Sequence, residues 1–332
     1  SYQAFSRAVE QTALLQESVL DGEGTIGIEA EHAFVAKVAL RTLLPDRPAQ
    51  LDLISALIKS VRWDETALPG ENPDQDYVVS VLQAVGPRGA SSDEFASPAS
   101  LEQLAEVLAE GRLVHGARLP QLLLLEANTL RLLANVATSA FDDSVARCRQ
   151  AIDILFDAEQ LLGTRRPSAS RNAQLQNVLT TRAVVHGFVS GACLREYMNV
   201  DPERRSTLRA TLRENLDEVN RDTVRARSIG QASYFPLDVS FWAHRDQLTQ
   251  LPDLSDEERV SLLGALESVL DIAAEEPIET GQYVHYRRRA ADLAQLQGDT
   301  ELVESVAAEL RAKGDFSADA LLARRKAIDP LT

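Results

Sequence analysis

The sequence predicts an all-α chain and, over residues 98–332, an α-solenoid of stacked antiparallel helical hairpins. Aromatic residues make up only 5% of the 332 residues, although 45% are hydrophobic. Strands draw more heavily on aromatic and β-branched side chains than helices do. Apolar residues recur at helical spacing along nearly all of the chain after residue 97. Short turns interrupt this periodicity, so neighbouring helices are expected to pack as antiparallel pairs.

The first 97 residues are less regular and are predicted to form an N-terminal helical subdomain or the irregular first repeats. Their helical patterns cover three ranges, 1–20, 29–44 and 48–61. The Asp-Gly-Glu-Gly sequence at 21–24 ends the first of these helices. A short apolar segment follows at 77–85, and residues 86–100, rich in Gly, Ser and Pro, are the best candidate for a linker.

The first three helices after residue 97 begin at residues that favour a helix N-terminus. Ser97 precedes Pro98, and Pro120 suits the first turn of the second helix. Asp142 or Asp143 can cap the third helix. The glycine expected to end the first of these helices is Gly111.

A long helix is predicted from about residue 171 to residue 198. Its successor begins at Asp201-Pro202, where proline again suits the first helical turn. The Tyr-Phe-Pro sequence at 234–236 then breaks the helical pattern. A short helix is expected to follow it, around Trp242.

The last helices are separated by clear local signals. Ser255 with Glu258 three positions later forms a capping box that opens one helix. Pro and Gly residues at 277–281 restart the pattern, and Gly-Asp pairs at 298–299 and 314–315 form tight turns. Pairs of helices therefore recur at roughly 35–50 residues, which is the range of helical repeats.

The formal net charge of −16 bears on the class of partner. A nucleic-acid backbone is repelled by such a chain unless a local basic patch overrides its field, so nucleic acid is not an expected partner. No run approaches the ~18–20 apolar residues that cross a bilayer. Cys148 and Cys193 are too few for a disulfide framework. We therefore expect a cytoplasmic protein without membrane contact, and the start at Ser1-Tyr2 suggests a processed product or a fragment.

The sequence offers no motif for catalysis, for a cofactor or for a metal. Gly22-Glu23-Gly24 lacks the preceding strand and the Gly-Lys-Ser/Thr sequence of a phosphate-binding loop. The five histidines are scattered singly, without the spacing of metal ligands, and no Gly-x-Ser-x-Gly elbow occurs. We expect a protein without catalytic residues, cofactor or metal, whose two cysteines pack in the core.

The string at 283–289 concentrates two tyrosines, a histidine and three arginines in an acidic protein. On a helix, Tyr283, Tyr286 and Arg287 share one face, and arginine with aromatic side chains suits the binding of a partner. Trp242 is the fourth candidate binding residue. The structural alternative is that the arginines pair with acidic helices, the tyrosines pack between helices, and Trp242 is a core wedge between repeats.

Several segments together resemble a known class of helical repeat. They are the helix at 122–128, the aromatic break at 234–236 before Trp242, and the helix–turn–helix sequence around 298–299 and 313–315. These segments look like degenerate tetratricopeptide-type repeats, similar to those in the C-terminal region of large bacterial STAND-type signalling ATPases. In such proteins an effector and a nucleotide switch precede a helical-repeat sensor, and several act in defence against phage. The chain has neither a phosphate-binding loop nor an effector signature, so the resemblance implies the sensor role alone.

The functional prediction is a non-enzymatic scaffold that recognises a protein. Stacked hairpins present an extended concave surface, and recognition then rests on a few aromatic and arginine anchors. The expected partner is a viral or host trigger protein or another domain of the same chain. The alternative is a helical enzyme or small-molecule receptor, which a deep enclosed cavity with several titratable groups would favour. A nucleic-acid binder is the third and least favoured class.

Overall fold

The structure is a computed structural model that describes residues 15–19, 26–30, 46–67, 71–85, 97–136, 140–229, 233–275 and 280–313. Eleven α-helices and one two-stranded β-ribbon form the regular structure of these residues. The chain divides into two compact units, residues 1–136 and 137–332. The helical character that the composition predicts is therefore confirmed for the great majority of the described residues. No helix among them has both the length and the apolarity that crossing a membrane requires.

The helices are numbered here in chain order. In the first unit they are α1 (Arg47–Ser60), α2 (Pro73–Val85), α3 (Pro98–Val114) and α4 (Pro120–Ala134). In the second unit they are α5 (Phe141–Thr164), α6 (Ala169–Tyr197), α7 (Pro202–Ile229), α8 (Phe235–Gln250), α9 (Asp256–Glu275), α10 (Thr280–Gln297) and α11 (Thr300–Ala312).

A β-ribbon near the N-terminus corrects two of the predicted helices. Strand β1 (Leu15–Val19) pairs antiparallel with β2 (Ile26–Ala30). The helices predicted over 1–20 and 29–44 are therefore wrong where they overlap these strands, and their other residues lie outside the described part of the chain. Two features explain the difference: isoleucines alternate with other residues in β2, and β-branched residues favour strands.

Helices α1 to α4 share one hydrophobic core. Helix α1 packs on α2 and α3, and α4 packs on α2 and α3. Ile54 of α1, Leu82 of α2 and Leu104 of α3 are all at most 2% exposed and belong to one apolar cluster. The division predicted at residues 97/98 falls inside this unit, because the apolar faces of α1 and α2 are covered by α3 and α4.

Gly111 lies inside α3 and does not end it as predicted, since the helix continues to Val114. A Cβ atom at Gly111 would lie 2.8 Å from Cγ2 of Ile58. The glycine therefore permits the close approach of α1 to α3.

The carboxylates predicted to cap α5 also lie in another position. The N-cap is Ala140, and Asp142 and Asp143 occupy the first turn of the helix. There they face the positive end of the helix dipole without acting as caps.

In the second unit, α6 packs against both α5 and α7, and α8 packs against α6 and α7. Helix α9 packs on α8, α10 packs on α8 and α9, and α11 packs on α10. The predicted capping box of α9 is confirmed, because the backbone N–H of Ser255 donates to Glu258 Oε2 at 2.9 Å and that of Glu258 donates to Ser255 Oγ at 3.2 Å. The tight turn at Gly298 is confirmed by its φ of 76°.

Candidate functional site

Trp242, the first of the predicted binding residues, lies half-buried where α8 packs on α6. Its ring stands edge-on to that of Phe188, with centroids 6.2 Å apart at 73°. The indole covers Gly187 so closely that a Cβ atom there would lie 2.8 Å from Cζ3 of the ring. Trp242 is therefore wedged between α6 and α8, as the structural alternative to a binding role describes.

Tyr286 is partly buried against the core formed by α8, α9 and α10. Its ring meets that of Tyr234 edge-on, with centroids 5.9 Å apart at 87°. The ring centroid of Tyr283, one turn earlier on α10, lies 6.3 Å from that of Tyr286. The tyrosines of the string thus pack where α10 meets its neighbours.

Arg287 and Tyr283 both contact Glu309 of α11. Arg287 Nε donates to Glu309 Oε2 at 2.9 Å. The hydrogen bond between Tyr283 and Glu309 raises the pKa of the phenol and lowers the pKa of the carboxyl group, and Lys313 Nζ lies 3.8 Å from the centre of the Tyr283 ring. The structure therefore brings Tyr283, Tyr286 and Arg287 together on α10, whereas Trp242 packs against α6.

A cleft between α5, α6 and α7 contains a different group of polar side chains, built on a buried ion pair. Arg182 of α6 is 2% exposed and Asp222 of α7 is fully buried. Arg182 donates from Nε and Nη2 to the two oxygens of Asp222 at 2.7 and 2.6 Å, and from Nη1 to Glu159 of α5 at 2.6 Å. All three guanidinium nitrogens thus have a carboxylate acceptor, which a buried charge requires.

Glu159 joins this buried pair to the rim of the cleft, because its other oxygen accepts a hydrogen bond from Arg225 of α7. Burial raises the pKa of Glu159, but the hydrogen bonds from Arg225 and Arg182 outweigh burial and lower it overall. The carboxylate is therefore ionised at neutral pH. Arg225 remains 42% exposed.

The cleft beside Glu159 and Arg225 has a volume of about 470 Å³. Its lining consists of Phe156, Glu159, Gln160, Gly163, Arg171, Leu175 and Arg225. The centre of the Phe156 ring lies 4.0 Å from the guanidinium carbon of Arg182, and Phe156 as a whole is still 44% exposed. Phe156, Gln160 and Gly163 are all exposed, so the cleft is open to solvent.

Arg171 lies at the α6 end of the cleft. Its Nε donates to the carbonyl oxygen of Leu162 at 2.9 Å, and its Nη1 donates to the side chain of Asn172 at 3.1 Å. No carboxylate within the described ranges forms an ion pair with it. The positive charge of Arg171 therefore lies at the cleft, and no described carboxylate pairs with it.

A second cavity, of about 160 Å³, lies between α7, α8 and α9. Arg213 at its rim contacts Glu258 at 2.8 Å, and Arg209 lies 3.5 Å from the same carboxylate. This cavity is smaller than the first, and its two arginines are both paired.

The buried cysteine and histidine side chains of the second unit bear on catalysis and metal binding. Cys148 and Cys193 are buried and not joined in a disulfide, and burial raises the pKa of Cys193 to about 11, so this thiol is protonated at neutral pH. His186 is also buried; its Nδ1 lies 2.8 Å from Asn215 Oδ1 and burial lowers its pKa. In the part of the chain that the structure describes, no three potential ligands from His, Cys, Asp and Glu lie close enough to hold a metal ion.

The sequence pattern did not identify the cleft. Arg225 belongs to a helix of mixed charge that predicts a solvated face, and Phe156 follows no motif. One signal was present: Arg182 lies between apolar residues on the buried face of α6, where an unpaired charge is not tolerated.

No family model matches this chain, and neither a curated protein nor a solved structure matches it.

Proposed function

We propose that this chain is a non-enzymatic protein-recognition scaffold that acts in the cytoplasm. In this proposal it is the ligand-sensing helical-repeat part of a larger bacterial signalling or defence ATPase of the STAND type. The trigger it recognises is a protein, from a virus or from the host cell. The observation that carries the proposal is the order in which helices α6 to α11 pack.

Alternate helices of this series contact one another, since α6 packs on α8 and α8 packs on α10. Each of these three also packs on the helix that follows it in the chain. That order is the one expected of the hairpins α6–α7, α8–α9 and α10–α11 stacked side by side as degenerate tetratricopeptide-like repeats. It supports an α-solenoid, in which residues outside the packed stripes are available to a partner.

The cleft between α5, α6 and α7 favours recognition over catalysis. The alternative, a helical enzyme or small-molecule receptor, predicts an enclosed cavity with several titratable groups. Of the titratable groups that line this cleft, Glu159 and Arg225 pair with each other, and Arg171 donates to neutral groups. The cleft is also open, with Phe156 exposed at its edge. Such a groove suits a peptide or a protein loop.

The test is capture of a partner by the immobilised chain from bacterial lysates, with and without phage infection, followed by mass spectrometry. We expect a protein from one of the lysates to be retained specifically. The double substitution Tyr283→Ala and Arg287→Ala is expected to reduce its capture about tenfold. Arg213→Ala, which removes an exposed and paired arginine elsewhere in the same unit, is the matched control and is expected to leave capture unchanged.

Two results would contradict the proposal. One is the absence of any specifically retained protein from both lysates. The other is a complete reading frame for this chain that encodes no nucleotide-binding module, which would contradict the ATPase assignment and leave the scaffold role in place.

A further inference from the structure

We propose that the cleft between α5, α6 and α7 binds an acidic peptide segment in which carboxylates flank an apolar side chain. The inference rests on the proposed function, protein recognition, and specifies the chemistry of the segment that is recognised. It is argued from the charge of the cleft, from its remaining hydrogen-bond donors and from its exposed aromatic ring.

The charge of the cleft is opposite to that of the chain. The whole chain carries a formal charge of −16, but the cleft and its floor hold three arginines against two carboxylates. These are Arg171, Arg182 and Arg225 against Glu159 and Asp222. A local positive field in an acidic protein attracts an anionic group to this place.

The arginines at the rim retain donors for such a group. A guanidinium has five N–H donors. Arg182 uses its three nitrogens on Asp222 and Glu159, so it holds the floor in place. Arg225 forms its hydrogen bond through Nη2, and its Nη1 lies 4.0 Å from Asp222 Oδ1, beyond hydrogen-bond distance. Arg171 uses Nε and Nη1 on neutral groups. Both therefore have N–H groups left that can donate to a carboxylate, and such charge-assisted bonds are the strong ones.

The apolar part of the segment is expected to contact Phe156 and Leu175. The Arg182 guanidinium carbon lies 4.0 Å from the centre of the Phe156 ring. Phe156 nevertheless remains 44% exposed, a large fraction for an aromatic residue in a cleft. The volume of about 470 Å³ lies within the range of about 300–1,000 Å³ that is usual for ligand sites.

A peptide fits these features better than a nucleic acid does. A nucleic-acid site requires a basic surface that spans several phosphates, and among the described residues that line this cleft the basic ones are Arg171 and Arg225. The acidic remainder of the chain would repel a long polyanion, whereas a short peptide segment places its carboxylates only where the arginines are.

The test is fluorescence anisotropy of the full chain with a labelled peptide that carries Glu and Asp residues on both sides of a central Phe. We expect saturable binding that weakens as salt is added. Arg171→Ala removes charge-assisted donors and Phe156→Ala removes the apolar contact, and each is expected to weaken binding about tenfold. Arg221→Ala is the matched control, because Arg221 lies one turn before Arg225, is 60% exposed and pairs with Glu218.

Each alternative outcome contradicts the inference. These outcomes are no binding, equal binding to the Phe156→Ala variant, equal binding of a peptide with Lys in place of Glu and Asp, and equal competition by single-stranded DNA. The last would assign the cleft to nucleic acid. Melting temperatures of the variants show whether a loss of binding reflects unfolding. Binding of the peptide to the cleft without any partner from the lysates would support this inference and contradict the proposed sensor. A specific partner from the lysates without binding of the peptide would contradict this inference and support the proposed sensor.

Discussion

Gly187 and Trp242 form the tightest contact between α6 and α8. A Cβ atom at Gly187 would lie 2.8 and 2.9 Å from ring carbons Cζ3 and Cζ2 of Trp242. Alanine gains about 1 kcal/mol over glycine inside a helix, but overpacking a core contact costs about 1–3 kcal/mol. We therefore expect Gly187→Ala to lower the free energy of unfolding by about 1 kcal/mol, as measured by urea denaturation.

Two controls separate the clash from the change in helix propensity. Gly264→Ala lies in the exposed part of α9 with no atom within 4 Å of its Cβ position, and it is expected to stabilise the protein by about 0.5–1 kcal/mol. In a Trp242→Ala background, Gly187→Ala is expected to lose its cost, since the coupling resides in this pair. A destabilisation that persists in that background would show that Trp242 does not form the wedge.

The capping box of α9 shows how a single helix end can depend on pH. The backbone N–H of Ser255 and the side chain of Arg213 hydrogen-bond to Glu258 and lower its pKa from 4.5 to about 2. A carboxyl group whose pKa is lower in the folded state stabilises the fold above its unfolded pKa and loses that effect as the pH falls. Glutamine preserves the capping geometry without the charge.

We therefore expect Glu258→Gln to be less stable than the wild type at neutral pH. The difference is expected to shrink between about pH 5 and about pH 2, as measured by urea unfolding at a series of pH values. Ser255→Ala, which removes the hydroxyl that accepts from the backbone N–H of Glu258, is expected to cost about 1 kcal/mol at neutral pH. A difference between Glu258→Gln and the wild type that does not change with pH would contradict the role given to the charge.

Helix ends were predictable from the sequence because their signals are local. Ser97 accepts a hydrogen bond from the backbone N–H of Ser100 at 3.2 Å, and Asp299 accepts one from that of Leu302 at 3.0 Å. In both cases the partners are three residues apart. Gly111 was misassigned because its reason is not local: it makes room for Ile58, which belongs to another helix.

The cleft was not predictable for the same reason. Glu159 and Arg225 are 66 positions apart in the sequence, and Arg182 and Asp222 are 40 apart. Only the packing of α5 and α7 against α6 brings their charges together. Helical periodicity and short turns predicted that successive helices pack together, but not which side chains meet between them.

Arginines hold several of these helices together in an otherwise acidic molecule. The chain has 50 acidic and 34 basic residues. Arg182 joins α6 to α7 through Asp222, and Arg289 joins α10 to α8 through Asp238 at 2.6 Å. Each of these arginines is thus paired with a carboxylate of a neighbouring helix. This arrangement explains why a cleft with unpaired guanidinium donors stands out in the second unit.

The division of the chain at residue 136 leads to a prediction about fragments. The second unit has its own core residues, such as Phe241 and Leu266, both fully buried. We therefore expect a fragment of residues 137–332 to fold alone, with a helical circular dichroism spectrum and one cooperative urea transition. A fragment of residues 98–332, cut at the boundary that the sequence predicts, retains α3 and α4 without α1 and α2.

That second fragment exposes Leu104 and Leu108, which α1 and α2 cover in the intact unit. It is expected to be less soluble than the fragment 137–332 and to bind a hydrophobic dye. If instead it unfolds in one transition with a larger urea dependence than the shorter fragment, α3 and α4 belong to the same cooperative unit as α5–α11. The cooperative unit would then begin at residue 98, and the core shared by α1 to α4 would not define a separate folding unit.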